Sequence, residues 1–298
     1  MYNRRKFLQL GGGLAAGAVL ASLGCHTAAK TAGATGNGGR VDPSKLFGIQ
    51  LYTLRDDMPK DPKGVLKQLS DFGYRQIESY EGAQGMFWGM SNTAFKTYLD
   101  SLSLTIISSH CDYKKDLERK AAEAAAIGMS YLICPWLGPQ KTLDEFKKAA
   151  DDFNKAGEIC RKNGIRFAYH NHDYSFTKLE GEYPQDVMMT RTDAGLVDFE
   201  MDIYWVVTAG ESPEAWLKKY PNRFRLSHIK DRVKNIPASE KFASCTLGEG
   251  SIDYASLIKT AKQQGMQYLI VEQEKYDGTT PLKSSEDNAR YMRKVLTV

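Results

Sequence analysis

Cysteine is scarce and unpatterned: the chain of 298 residues has five, and none stand in Cys-x-x-Cys spacing. A chain this long buries a full core without staples, so no disulfide framework is expected. Excess charge of one sign is also missing. The formal balance is +4, and it falls to +1 without residues 1–24, which carry Arg4, Arg5 and Lys6. That near-neutrality leaves no electrostatic footprint for nucleic acid or an acidic membrane surface. The apolar run 10–23 is too short and too broken by Gly and Ala for a secure membrane span. The first strand-to-helix turn reads Leu54-Arg55-Asp56-Asp57, with no glycine fingerprint, which argues against an open doubly wound sheet. No glycine-rich phosphate cradle is present elsewhere. Histidine is rare too, with five in all.

What the N-terminus does contain reads as an address. Arg4-Arg5-Lys6 before the weakly apolar run resembles a twin-arginine export signal, and Ser22-Leu23-Gly24-Cys25 resembles a lipoprotein processing site with Cys25 lipidated. The expectation is a signal peptide over 1–24, a flexible tether over 25–44 and one domain over 45–298. The protein is then exported, periplasmic or membrane-anchored, meeting a membrane only through the lipid. Such export carries proteins already folded in the cytoplasm, so Cys111, Cys134, Cys160 and Cys245 are expected as free, mostly buried thiols.

From residue 46 onward, strand-like and helix-like stretches alternate. Apolar, β-branched or aromatic runs at 47–54, 74–78, 104–110, 131–136, 165–172, 197–204, 224–230 and 268–273 predict eight strands. Between and after them, 62–72, 93–102, 117–127, 143–163, 184–190, 213–219, 254–264 and 285–296 predict helices, with Pro at several starts and Gly at several stops. Eight such repeats in about 250 residues is the size of a single (β/α)8 TIM barrel.

In a barrel of this kind the chemistry sits at the C-terminal strand ends. Here those ends carry Glu78, His110, His170 with His172, Asp202, His228 with Lys230, and Glu272 with Glu274. Any one of these is compatible with a satisfied core residue; six strands doing so together are not explained by packing. Imidazole and carboxylate donors suit one divalent ion such as Mn, Co, Zn or Fe. Asp202, His228 and Glu272 are the expected ligands, with His170 as the fourth. Glu200, two residues before Asp202 on the same face, is expected one layer deeper.

The motifs Tyr169-His170-Asn171-His172-Asp173, Asp202-Ile203-Tyr204-Trp205, Ser227-His228-Ile229-Lys230-Asp231, Gly248-Glu249-Gly250 and Val271-Glu272 resemble the xylose isomerase-like TIM-barrel superfamily. That superfamily includes sugar phosphate isomerases and epimerases, inosose dehydratases and endonuclease IV. The resemblance implies a divalent metal held by Glu, Asp, His and Glu from the last four strands. The last three match Asp202, His228 and Glu272; the first position holds His170, which leaves His170, His172 or water as the fourth ligand. The DNA-cutting branch needs Asp-x-x-His where this chain has Asp202-Ile203-Tyr204-Trp205, and no further histidine is available for a metal cluster.

The expected chemistry is isomerisation or epimerisation of an unphosphorylated sugar through an enediolate, with the carbohydrate as the small-molecule partner and no nucleic acid. Hydration or elimination on keto-sugar intermediates of glycoside breakdown is the alternative. A surface-anchored, non-catalytic sugar-binding lipoprotein is the alternative of another class. The expected base is His172 or Glu78, with His110 shuttling a proton. Lys230 would neutralise an oxyanion, oriented by Asp231. Trp136 and Trp205 would wall a sugar face, and Glu249 would reach the mouth. An oligomer is compatible with the sequence and not dictated by it.

Overall fold

The computed structural model describes residues 46–237 and 239–297. The leader, the tether and Cys25 lie outside the described residues. Eight parallel strands close a barrel in the order β1-β10-β7-β6-β5-β4-β3-β2. They are β1 Gly48–Gln50, β2 Gln76–Tyr80, β3 Thr105–His110, β4 Tyr131–Cys134, β5 Arg166–His170, β6 Val197–Asp202, β7 Phe224–Ile229 and β10 Tyr268–Val271. Helices α1 Pro62–Phe72, α2 Asn92–Ser101, α3 Leu117–Ala125, α4 Leu143–Lys162, α5 Pro184–Arg191, α6 Ile203–Thr208, α7 Pro213–Lys219, α8 Tyr254–Gln263 and α9 Pro281–Val295 occupy the connections and the end of the chain. A two-stranded antiparallel ribbon, β8 Asp231–Arg232 with β9 Ser244–Cys245, follows β7.

Local signals account for most helix ends. Helices α1, α5, α7 and α9 each have proline in the first turn, where the missing N–H costs nothing. Thr142 and Glu145 form a reciprocal capping box on α4. Gly73 ends α1 at φ 103°, and a Cβ there would sit 2.5 Å from the Arg293 guanidinium.

Several predicted strands are shorter than the sequence suggests. Residues 51–54 turn into a 3-10 helix because the Gln50 side chain accepts the Tyr52 N–H and breaks the ladder. Residues 203 and 204 belong to α6, which Asp202 caps through its carboxylate. The second strand errs the other way: it runs two residues past Glu78 to Tyr80.

Side chains on alternate positions point into the barrel, and they change character with height. At the bottom, Tyr131, Ile133, Ala168 and Leu226 form an apolar plug. Asp198 faces Tyr131 Oη at 3.0 Å and is paired bidentately with Arg166. Two and four residues further along the same face of β6 come Glu200 and then Asp202, which stand level with β7 residues Leu226 and His228. The larger core lies outside the strands, where helix faces pack on Phe167, Tyr169, Phe199 and Met201 among others.

Candidate active site

The ends of β2, β3, β5, β6, β7 and β10 bring a two-storey polar cluster together. The lower storey is buried, with only His110 reaching the cavity. Glu78 Oε1 accepts from Gln50 Nε2 at 2.8 Å and lies 2.7 Å from His228 Nε2 and 3.3 Å from His110 Nε2, while Ser108 Oγ donates to Glu78 Oε2. Glu200 Oε2 sits 2.8 Å from His110 Nε2 and 3.4 Å from His228 Nε2. Burial opposes a second proton on His110, but the carboxylates of Glu78 and Glu200 outweigh it and raise this imidazole to about 9. Burial and the charge on Glu78 push Glu200 up to about 7.

The upper storey shares His228 with the lower. Its Nδ1 lies 3.1 Å from His170 Nε2, 3.2 Å from Glu272 Oε2 and 3.7 Å from Asp202 Oδ2. Asp202 Oδ2 is 3.4 Å from His170 Nε2 and is buried with no hydrogen-bond partner. The outer nitrogens decide the tautomers. His170 Nδ1 faces the Pro135 carbonyl at 3.2 Å, and a carbonyl only accepts, so Nδ1 carries the proton. His228 Nε2 faces two carboxylates and carries its own. When neutral, both rings therefore turn bare lone pairs inward, toward two carboxylate oxygens.

These four groups are buried at 5% exposure or less, and the Lys230 ammonium, 3.2 Å from Glu272 Oε2 and 3.8 Å from Asp202 Oδ2, supplies part of the positive charge they need. Ligand atoms of His170, Asp202 and His228 all lie within 4.8 Å of one another, as a divalent ion needs. In the absence of such an ion, Glu200 and Glu272 overcome the burial penalty and hold a proton on His228. The imidazole and carboxylate donors of His170, Asp202 and His228 fit a divalent metal; Glu272, held by Lys230, is not among them, and Glu78, His110, Glu200 and His228 make a second such group in the lower storey. Asn171, between the two histidines, exchanges two 3.1 Å hydrogen bonds with the Asp202 backbone and fixes β5 against β6 at this height.

A cavity of about 350 Å³ opens above this storey. His110, His170, His172 and Glu272 line it, with Trp136 and Trp205 as walls and Tyr52 and Tyr80 opposite. His172 lies two residues past the end of β5 and carries a buried Nδ1 with no partner. Trp136 stands edge-on to it at 4.4 Å, and Tyr174 and Trp205 flank it at 5.8 and 5.2 Å. Burial in that aromatic box, with the neighbouring His170, holds His172 well below the usual imidazole range. Glu81, Asp112, Glu272 and Glu274 also line the cavity, and no Lys or Arg does.

Four expectations are corrected by these positions. Glu78 does not reach the cavity; it lies beneath His228 because the strand continues to Tyr80, which lines the wall instead. The Lys230 ammonium is 1% exposed and paired with Glu272 Oε2 at 3.2 Å and with Glu274, so it is not presented to an oxyanion. Asp231 does not orient Lys230: its carboxylate accepts the backbone N–H groups of Arg232, Gly248, Gly250 and Ile252. Glu249 is exposed on that clamped loop and does not line the cavity. Tyr254 Oη buckles the Lys230 backbone instead, accepting its N–H at 2.8 Å and donating to its carbonyl at 2.7 Å. Sequence reasoning missed Gln50, Ser108, Tyr52 and Tyr80. It gave Glu274 no role, although the spacing of two from Glu272 marks the shared face.

Comparison with known proteins agrees with this fold. Residues 66–295 match the family described as xylose isomerase-like TIM barrel. An inosose dehydratase of Clostridium beijerinckii is 30% identical over 267 residues, covering 84% of this chain and 82% of the relative. The crystal structure of a sugar phosphate isomerase/epimerase from Parabacteroides distasonis superposes with a TM-score of 0.72 at 28% identity, covering 88% of this chain and 98% of its own. The IOLI protein, solved with a bound zinc, shares the fold at TM-score 0.69 and 15% identity, over 85% of this chain and 98% of its own. The chain belongs to the xylose isomerase-like TIM-barrel family.

Proposed function

We propose that the protein is a divalent-metal-dependent enzyme that removes a proton beside the carbonyl of an unphosphorylated carbohydrate and expels an oxygen substituent from the next carbon. The observation that carries this reading is that His172 and His170 line one cavity with Glu272, beside the buried convergence of His170, Asp202 and His228. A divalent cation would be held by His170, Asp202 and His228, with Glu272 beside them, and would supply Lewis-acid stabilisation of an oxyanion on the substrate. His172 takes the proton from carbon, the C–H electron pair becomes the carbon–carbon double bond of an enediolate, and the carbonyl π pair moves onto oxygen. The oxygen pair then re-forms the carbonyl, the carbon–carbon pair moves on to form the alkene, and the β-carbon–oxygen bond breaks with its electrons leaving on oxygen. His110, held protonated by Glu78 and Glu200, delivers a proton to the departing oxygen from the ring nitrogen it does not donate to Glu200. Trp136 and Trp205 exclude water and face the sugar ring.

The dehydratase name of the 30%-identical relative favours elimination over the isomerisation expected from the sequence. The isomerase/epimerase name of the Parabacteroides protein supports isomerisation as the second reading, in which His172 returns its proton. An acidic cavity lining without Lys or Arg argues against a phosphorylated substrate in either case. The proposed exported location accords with that. The test is to incubate a keto-inositol and a keto-hexose with metal-loaded protein in deuterated water. Loss of one water by mass is the expected result. Deuterium gained beside the carbonyl at unchanged formula supports isomerisation, and neither change sinks the proposal.

A further inference from the structure

A second cavity, of about 440 Å³, adjoins the catalytic one, and Tyr52 and Glu274 line both. Its far wall is Phe242, which at 68% exposure is the most exposed of the large apolar side chains among the described residues. An aromatic ring in water gains stability only when something covers it. The ring is nevertheless held in place. It stands edge-on to Trp205 at 5.6 Å, and the chain is pinned on both sides of it. Lys241 pairs with Asp173, Tyr204 Oη donates to the Lys241 carbonyl at 2.6 Å, and the same oxygen accepts the Ala243 N–H at 2.7 Å. Tyr52, 40% exposed, is braced edge-on by Tyr80 at 5.3 Å. The cations of this cavity are already partnered. Arg55 donates to the Tyr52 and Glu274 carbonyls at 3.3 and 2.9 Å, and Lys275 pairs with Asp277 at 3.1 Å. Arg55 also lies over the Tyr52 ring, 5.0 Å from its centroid, so what remains is the Phe242 ring and the uncovered part of Tyr52, rimmed by Glu240 and Ser244, which suits a neutral ring with an apolar face and hydroxyl edges.

We infer that the second cavity is a subsite for a second sugar ring, so that the substrate is a disaccharide-sized glycoside whose reacting ring lies beside His172. The inference rests on the proposed function only for the identity of the reacting ring. Each cavity alone falls within the ~300–1,000 Å³ range of sites that enclose a small-molecule ligand.

Calorimetry on the metal-loaded protein with the non-reacting probes glucose, cellobiose, maltose and gentiobiose tests it. At least one disaccharide is expected to bind about tenfold tighter than glucose, a gap of about 1.4 kcal/mol. Phe242→Ala is expected to bring that disaccharide within about twofold of glucose, with metal content and circular dichroism matching the parent. Disaccharides no tighter than glucose overturn the subsite, and so does a gap that survives Phe242→Ala. The binding result is independent of turnover: a gap without proton abstraction refutes the chemistry alone, and turnover of a keto-hexose without a gap refutes the subsite alone.

Discussion

His228 carries two chemistries on the two edges of one ring. Nε2 is committed to Glu78 and Glu200, so Nδ1 is left for the upper storey. Glu78 is therefore a positioning residue for this proposed metal ligand. Glu78→Gln is expected to weaken metal binding by about 10–100-fold, read by titration with a chromophoric chelator, because an amide nitrogen facing Nε2 favours the wrong tautomer. His172→Ala is expected to keep its metal and lose about 10²–10⁴ in kcat, which separates the base from the ligands. Burial raises all four described thiols, to about 12 for Cys134, Cys160 and Cys245 and higher for Cys111. The native protein is accordingly expected to resist a thiol reagent at neutral pH until it is unfolded. The convergence of Asp202, His228 and Glu272 was legible in the sequence, because a polar residue closing an apolar run marks a strand end. The depth of Glu78 was not. The register between β2 and β3 shifts at Ile77/Glu78, which sets Glu78 level with Ser108 and Tyr80 level with His110, and no local pattern announces such a shift.

At the scale of elements, the segment after β7 is organised by one carboxylate. Asp231 gathers four backbone N–H groups, and a Cβ on Gly250 would stand 2.1 Å from its Oδ1, so the loop can close this tightly only with glycine there. Asp231→Ala leaves those amides without their charged acceptor and is expected to lower stability by on the order of 2–5 kcal/mol, measured as a fall in the urea midpoint. The alternation of strands and helices was readable from hydrophobic period and punctuation. Helix α6 was not: Ile203-Tyr204-Trp205-Val206-Val207-Thr208 has strand-like composition, and burial plus the Asp202 cap override that propensity. The clamp likewise leaves no trace in sequence, since its donors are backbone groups up to 21 residues away.

At the scale of the whole molecule, the barrel holds a cluster of buried charges that a bound cation would balance. Chelation is therefore expected to lower stability as well as activity. At a metal concentration of 100 times Kd the linkage is about 2.7 kcal/mol, which corresponds to a fall in Tm of roughly 5–10 °C by calorimetry for a domain of this size. The apolar plug below contributes independently. Leu226→Ala is expected to cost about 2–5 kcal/mol with metal affinity unchanged.

The three carboxylates on one face of β6 bear on assembly as well as on chemistry. Each has a partner within reach: Arg166 for Asp198, His110 for Glu200 and His170 for Asp202. A slip of the strand by one position would drive all three acids into the oily shell under the helices and bring Phe199 and Met201 into the lumen. The ladder of charges thus works as a ratchet with a single tooth spacing, and a wrongly seated sixth strand is rejected before the ring of strands can shut.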